Sequence, residues 1–320
     1  MISREVRIVF MGTPEFAVPS LRALCESGYN VVGVVTTPDR AAGRGQRLYE
    51  CDVKREAMRL GLPILQPEKL RDEEFVNAYR ALNADLAIVI AFRMLPQVIW
   101  AMPRLGTFNL HASLLPEYRG AAPINHAIMN GDKESGITTF LLNEKIDQGA
   151  IIGQRRVQIG EDENVGSLYE RLMNLGPELV IETVEKLSNG DVTPIEQKHI
   201  DESTLRPAPK IFKQDCLIDW SWEGQRIFNF VRGLSPYPAA WCNITKEGGE
   251  RTTAKIFEVR FESGTKMQVG EISSDNKSYI AVGCADGTIF IDSIQLAGKK
   301  RLATKELLLG FKGIESFKME

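Results

Sequence analysis

Asn109 and His111 stand two residues apart at the end of the run Thr107-Phe108-Asn109-Leu110-His111. Successive side chains of a strand alternate between faces, so these two share a face and emerge together at the strand's carboxyl end. In an open α/β sheet that end is where ligands bind. An amide donor beside an imidazole suits a reaction that builds negative charge on a carbonyl oxygen. Taken singly, each residue has a plainer use in satisfying loop backbone groups, and it is the pair that points to a reaction. A second cluster is cationic: Arg40, Arg44 and Arg47 are set around Gly43 and Gly45. Guanidinium groups on so flexible a backbone can approach phosphates closely, with a solvated loop as the alternative use.

Side chains placed this way need a sheet behind them, and the hydrophobic pattern predicts one. Residues 6–11 form a β-branched run ending at Gly12. A helical segment at 18–25 and a second apolar run at 30–35 complete a βαβ unit. An amphipathic stretch at 53–60, a helix at 72–82 and strands at 86–90 and 107–110 continue the alternation. This predicts a doubly wound, mostly parallel α/β sheet with helices on both faces. Residues 135–159 read as consecutive strands, and 165–187 as a long helix with Leu172, Leu175, Leu179, Ile181 and Val184 on its apolar face. The stretch 198–213, with Pro207-Ala208-Pro209, lacks periodicity and reads as a linker. A helix at 224–231 follows, then short strands at 254–259, 266–272, 279–282 and 288–294 with Gly and Asp-Gly turns, the pattern of a small β-barrel or sandwich. The expected organisation is a first domain over 1–197, a linker over 198–213 and a second domain over 214–320.

Composition sets bounds on function. At 320 residues the chain exceeds what one core usually organises. Hydrophobic and charged fractions of 43% and 25% belong to a chain that folds unaided rather than to a disordered one. The longest apolar runs, such as 86–92, are too short to cross a bilayer, and the start carries no signal-like apolar region. No membrane partner is expected, and the cytoplasm is the expected compartment. Cys25, Cys51, Cys216, Cys242 and Cys284 are scattered with no C-x-x-C pair, so they read as reduced packing residues, and three histidines make a His-rich metal site hard to build. From Lys210 onward 16 Lys+Arg meet 14 Asp+Glu, a net of +2, which leaves −5 for the rest of a chain of net −3. That shift hints at a nucleic-acid partner without establishing one.

The pattern Asn109-x-His111-x-Ser113-Leu114-Leu115-Pro116 followed by Arg119-Gly120-x-x-Pro123 resembles the signature of the folate-dependent formyltransferases. The third catalytic residue of that superfamily is an Asp in a later loop, and Asp147 falls at its Asp-x-Gly position. Asp132, Glu134 and Glu144 read as surface charges, and His126 as a structural residue on a helix. The opening strand and turn 10–17, the basic loop 37–45, and the segments 218–220, 227–241 and 297–301 are similar to the branch that formylates methionyl-tRNA. The resemblance implies an OB-like barrel for the second domain, a framework often used against nucleic acids. It also implies 10-formyltetrahydrofolate as donor, its pterin in an apolar slot lined by Phe92, Leu95, Ser113, Leu114, Leu115 and Pro116, and no metal. Initiator methionyl-tRNA is the implied acceptor, engaged by Arg40, Arg44 and Arg47 and by Lys299, Lys300 and Arg301, with the protein acting as a monomer. The segment 91–96 is one residue shorter than in many relatives of this type. Rival readings are a sugar-nucleotide formyltransferase, which the basic loop and 299–301 disfavour, and an RNA-binding protein on an inactive scaffold, which an intact catalytic trio disfavours. A dinucleotide-dependent dehydrogenase fails for lack of G-x-G-x-x-G.

Overall fold

A computed structural model describes residues 5–42, 47–197, 202–246, 249, 251–264 and 267–320. The apolar runs read above become the strands of one sheet: β1 (Arg7–Gly12), β2 (Asn30–Val35), β5 (Ile64–Leu65), β6 (Leu86–Ile90), β7 (Thr107–His111), β8 (Glu134–Leu141) and β9 (Ile151–Gln158), with β3 (Arg40–Ala42) and β4 (Arg47–Tyr49) forming a separate pair. The order across the sheet is β5-β2-β1-β6-β7-β8-β9, parallel as far as β7 and antiparallel where β8 joins. Helices α1 (Val18–Glu26), α2 (Asp52–Arg59), α3 (Glu73–Ala81) and α4 (Gln97–Trp100) fall between the parallel strands. Every residue of β6 is buried, as expected of a central strand covered on both sides. One core cluster joins Val9, Met11, Val35 and Val89 of the strands to Phe75, Val76 and Tyr79 of α3. Because β1 neighbours β2 on one side and β6 on the other, the carboxyl ends of β1, β6 and β7 meet where the strand order reverses, the place where such sheets bind ligands.

The remaining elements are α5 (Pro123–Met129), α6 (Val165–Asn189), α7 (Gly224–Leu234), α8 (Thr304–Gly310) and the strands β10 (Ala240–Lys246), β11 (Arg251–Ser263), β12 (Ile272–Ser274), β13 (Ile280–Gly283), β14 (Gly287–Leu296), β15 (Leu302–Ala303) and β16 (Phe317–Met319). The strands β10 to β16 build an antiparallel sheet ordered β12-β13-β14-β11-β10-β16, with β15 paired to β14. A bridge between Glu271 and Lys318 brings its two edges together, so the sheet is a nearly closed barrel. Its interior holds Ile244, Ile256, Val282, Ile289, Ile291 and Ile294, with Ile227 and Val231 of α7 in the same cluster.

The chain divides into two compact units that do not follow one cut in the sequence. One comprises Met1–Gly120, Gly136–Val157 and Tyr169–Pro207; the other comprises Ala121–Ser135, Gln158–Leu168 and Ala208–Glu320. Helix α5 thus belongs with the barrel, packed on α7, where the Asn125 amide donates to the Gly233 carbonyl at 2.8 Å.

Some elements differ from the sequence expectation. The predicted loop over 37–45 carries strand β3, paired with β4 through Ala42 and Arg47, while residues 43–46 lie outside those described. The strand expected over 266–272 begins only at Ile272. Gly270 explains the late start: its φ of +76° and the Met319 carbonyl, which a Cβ there would meet at 2.3 Å, make a turn where extension was expected. Strand β10 and helix α8 had no counterpart in the periodicity.

Candidate active site

Strand β7 carries both Asn109 and His111. Asn109 sits between Val89 of β6 and Phe140 of β8, and His111 lies opposite Thr138 of β8. His111 is buried and Asn109 half-buried, as befits the last turns of a strand opening into a cleft. Among the described residues no protein group bonds the Asn109 amide, which leaves both its donors for a ligand.

The imidazole of His111 is held by backbone. Its Nε2 lies 2.9 Å from the Tyr118 carbonyl. A carbonyl only accepts, so Nε2 carries the hydrogen and Nδ1 is the ring nitrogen left open. Nδ1 faces the Asp147 carboxylate at 3.9 Å, too far for a hydrogen bond. Tyr118 presents its carbonyl from a left-handed backbone, φ +60°, unusual for a tyrosine. The conformation is over-determined: the Tyr118 N–H donates to the Arg206 carbonyl at 2.8 Å, and the Arg206 guanidinium covers the Tyr118 ring at 4.7 Å.

Asp147 is also left-handed, φ +53°. Its Oδ2 accepts the Gly120 N–H at 2.9 Å, which anchors the carboxylate to the turn that follows Tyr118. The Gln197 amide donates to the carbonyls of Asp147 at 3.1 Å and Gly149 at 2.7 Å, and its oxygen accepts from Arg119 at 2.8 Å. Gly149 is required by close approach, since a Cβ there would lie 1.5 Å from the Leu141 carbonyl oxygen. The ring of His111 is thus held between two groups: Nε2–H donates to the Tyr118 carbonyl and Nδ1 faces the Asp147 carboxylate. Neither Tyr118 nor Gln197 has a sequence signal that would single it out, because each acts through backbone carbonyls.

The candidate donor-binding residues fall into two groups. Ser113 is fully buried, its hydroxyl donating to the Glu117 carbonyl at 2.7 Å, and Leu115 is buried beside it. The Thr138 hydroxyl donates to the Ser113 carbonyl at 2.6 Å, and Gln154 donates to that of Leu115 at 2.8 Å, so the sheet pins this loop. Leu114 and Pro116 are half-buried in it. Phe92 and Leu95 pack on the core beside α3, while Met94 between them is 70% exposed. Arg93 braces that segment by donating to the carbonyls of Glu68 and Pro67. Burial, and then the nearby charge of Arg40, push its guanidinium below its usual value. A cavity of about 540 Å³ is lined by Leu95, Met94, Pro96 and Trp100, by Lys69, and by Glu144 of the Asp147 loop. That volume suits a small-molecule site. The cavity joins residues 94–97 to Glu144; of the six expected donor-binding residues only Leu95 lines it, and Asn109, His111 and Asp147 do not.

Of the basic residues, Arg40 is exposed on β3. Arg44 lies outside the described residues, and of Arg47 only its place on β4 is described. Lys299 and Lys300 are exposed. Arg301 is engaged by its own barrel: it donates to Ser293 at 2.7 Å, pairs with Glu258 at 2.5 Å and lies 4.4 Å over the Phe257 ring.

Comparison with known proteins places this geometry in a lineage. Residues 6–184 match the formyl transferase family and residues 210–312 its C-terminal domain. The chain is 54% identical over 321 residues to a methionyl-tRNA formyltransferase of Bacteroides thetaiotaomicron, covering 100% of both chains. The chain belongs to the methionyl-tRNA formyltransferase family. A family relative from Flavobacterium johnsoniae is 48% identical over 96% of each chain. Solved structures share the fold at lower identity. An N-formyltransferase from Helicobacter canadensis, in complex with folinic acid and dTDP-3-aminofucose, aligns at a TM-score of 0.62 and 18% identity over 93% of this chain and 100% of its own. HypX from Aquifex aeolicus, in complex with tetrahydrofolic acid, aligns at 0.60 and 21% over 94% of this chain and 46% of its own. Among the described residues no group of His, Cys, Asp and Glu is placed to hold a metal, and no helix is long and apolar enough to cross a membrane.

Proposed function

We propose that this protein transfers the formyl group of 10-formyltetrahydrofolate to the free amine of initiator methionyl-tRNA, giving N-formylmethionyl-tRNA for translation initiation, and that it works in the cytoplasm as a monomer. The observation that carries the reading is the convergence of Asn109, His111 and Asp147 at the carboxyl edge of β7 in a chain that matches methionyl-tRNA formyltransferases along its whole length. Membership of that family supports it over the sugar-nucleotide alternative, because the solved sugar formyltransferases share only about a fifth of its residues.

The donor supplies an activated formyl group when bound, and of the residues expected to hold it Leu95 lines the cavity that reaches Glu144. The Asn109 amide donates to the carbonyl oxygen as negative charge builds there. His111, its Nε2–H fixed on Tyr118, offers only Nδ1 to the reaction, and with Asp147 facing that nitrogen the pair takes the proton of the attacking amine and returns it to the donor's leaving nitrogen as the bond from that nitrogen to the formyl carbon breaks. The 1–197 segment carries this chemistry, and the barrel of the 214–320 segment engages the RNA together with Arg40, Arg44, Arg47, Lys299 and Lys300. Arg301 serves the barrel's own surface first.

The test is incubation with 10-formyltetrahydrofolate and either charged initiator tRNA or an amino-sugar nucleotide. The expected product is formylated methionyl-tRNA alone. Asn109→Ala and His111→Ala should each lower turnover on the order of a hundred- to a thousandfold while the fold persists. Formylation of the sugar, or near-normal rates in either variant, would sink the reading.

A further inference from the structure

The loop that carries Asp147 is not shaped by packing. Residues 143–146 are all exposed, so burial of apolar side chains does not fix the path of the chain into Asp147. Asp147 itself is left-handed, a conformation that a non-glycine residue keeps only where its surroundings over-determine it. Polar contacts must supply what packing does not. They close into a ring. The Gly120 N–H donates to Asp147 Oδ2 at 2.9 Å, and the Asp147 carbonyl accepts from the Gln197 amide at 3.1 Å. The same amide nitrogen donates to the Gly149 carbonyl at 2.7 Å, and the Gln197 oxygen accepts from Arg119 at 2.8 Å. Arg119 precedes Gly120 in the chain, so the path returns to its start. Every hydrogen-bonding group of the Gln197 side chain is committed, its two N–H donors to carbonyls and its oxygen to a guanidinium. Gly149 is buried and the other members are half-buried, so water does not simply replace a lost bond.

Gln197 is itself held in register. Ile195 exchanges both backbone hydrogen bonds with Ile151 at 2.8 Å, an antiparallel pairing that sets position 197 beside position 149. The ring matters to the reaction because it spans His111. Tyr118, two residues before Gly120, takes the Nε2 hydrogen at 2.9 Å, and Asp147 faces Nδ1 at 3.9 Å. Both sides of the imidazole therefore hang on one circuit, and Gln197 is the member that joins the 118–120 turn to the 143–149 loop while belonging to neither. We infer that Gln197 is a positioning residue of formyl transfer, aiming the Asp147 carboxylate at His111 by holding the backbone of its loop. The inference rests on the function proposed above. It also gives the start of the connecting segment a part in the active site, where the sequence pattern shows only the end of a domain.

The test is a double-mutant cycle on the full chain, read as single-turnover rates with 10-formyltetrahydrofolate and charged initiator tRNA. Misplacing a reacting group by about 1 Å costs on the order of a hundredfold, so Gln197→Ala is expected to lower the rate by about ten- to a hundredfold. Gln197→Glu keeps the length of the side chain and the contact with Arg119 but turns an acceptor toward the two carbonyls, and it should lose as much. In an Asp147→Asn background, where no carboxylate is left to aim, Gln197→Ala should cost less than about twofold, the mark of two residues that act through one contact. A residue that only braced the fold would slow both backgrounds alike. Equal losses in the two backgrounds overturn the inference, and so does a wild-type rate in both Gln197 variants. A wild-type protein that transfers no formyl group would instead sink the proposed function, and this inference with it.

Discussion

At the scale of residues, the site turns on which nitrogen of His111 is available. The Tyr118 carbonyl takes Nε2–H, so any proton traffic runs through Nδ1, the atom that faces Asp147. Asp147 is positioned from both ends, its carboxylate by Gly120 and its backbone by Gln197. Replacing it with Asn keeps the shape and the Gly120 hydrogen bond while removing the charge and the ability to take a proton. Asp147→Asn is expected to lower kcat steeply at every accessible pH, with donor affinity little changed. A pH–rate profile of the variant checks this. A curve that merely shifts along the pH axis and recovers the wild-type plateau would reduce Asp147 to a tuner of its neighbour.

At the scale of elements, the helices around the first sheet are joined by specific ion pairs as well as by apolar packing. Glu56 of α2 accepts from Arg22 of α1 at 2.7 Å and from Arg59 at 2.8 and 3.0 Å. Those hydrogen bonds, Arg59 first and Arg22 second, hold its carboxyl down at about 2 from an ordinary 4.5. A carboxyl depressed in the folded state adds stability that is complete above its unfolded value and is lost as pH falls through the folded one, here from about 4.5 towards 2. Arg22 and Arg59 are 45% and 57% exposed, so solvent screening keeps the effect small. Glu56→Gln should therefore be less stable than wild type at roughly pH 6, and the gap should close towards roughly pH 2.5. Urea unfolding at the two pH values measures it, and a gap that stays constant would show that the pair contributes nothing through charge.

At the scale of the whole molecule, the two compact units are interleaved in sequence. Besides the Asn125–Gly233 bond, Arg232 of α7 donates to the carbonyls of Gly160 at 3.4 Å and Glu163 at 2.9 Å, so residues 158–168 are also tied into the barrel unit. A cut anywhere within 198–213 severs the chain without severing those ties. Chains nicked there by limited proteolysis are expected to co-elute on size exclusion and to separate only in denaturant. The barrel segment 214–320 made alone, lacking α5 and 158–168, should unfold at a lower temperature than the barrel within the intact protein. Separation of the nicked pieces in native buffer would mean that the ties are too weak to matter.

Local pattern was enough to read strands β1, β2 and β6, because each is a short apolar run, and in β7 alternation alone placed Asn109 and His111 on one face. The Asp-x-Gly at Asp147 was legible only through resemblance, since nothing local marks a surface carboxylate as one that will face a histidine. Tertiary structure decided the rest. The left-handed Tyr118 that fixes the His111 tautomer depends on Arg206, and the Asp147 loop depends on Gln197, partners 88 and 50 residues away in sequence. Backbone carbonyls made those choices, and a carbonyl is the same in every residue type, so side-chain periodicity carries no trace of it. Assignment of α5 and 158–168 to the barrel unit likewise rests on contacts with α7 more than 60 residues further on. A hydrophobic pattern says which face of an element must be covered, and only the folded chain determines what covers it.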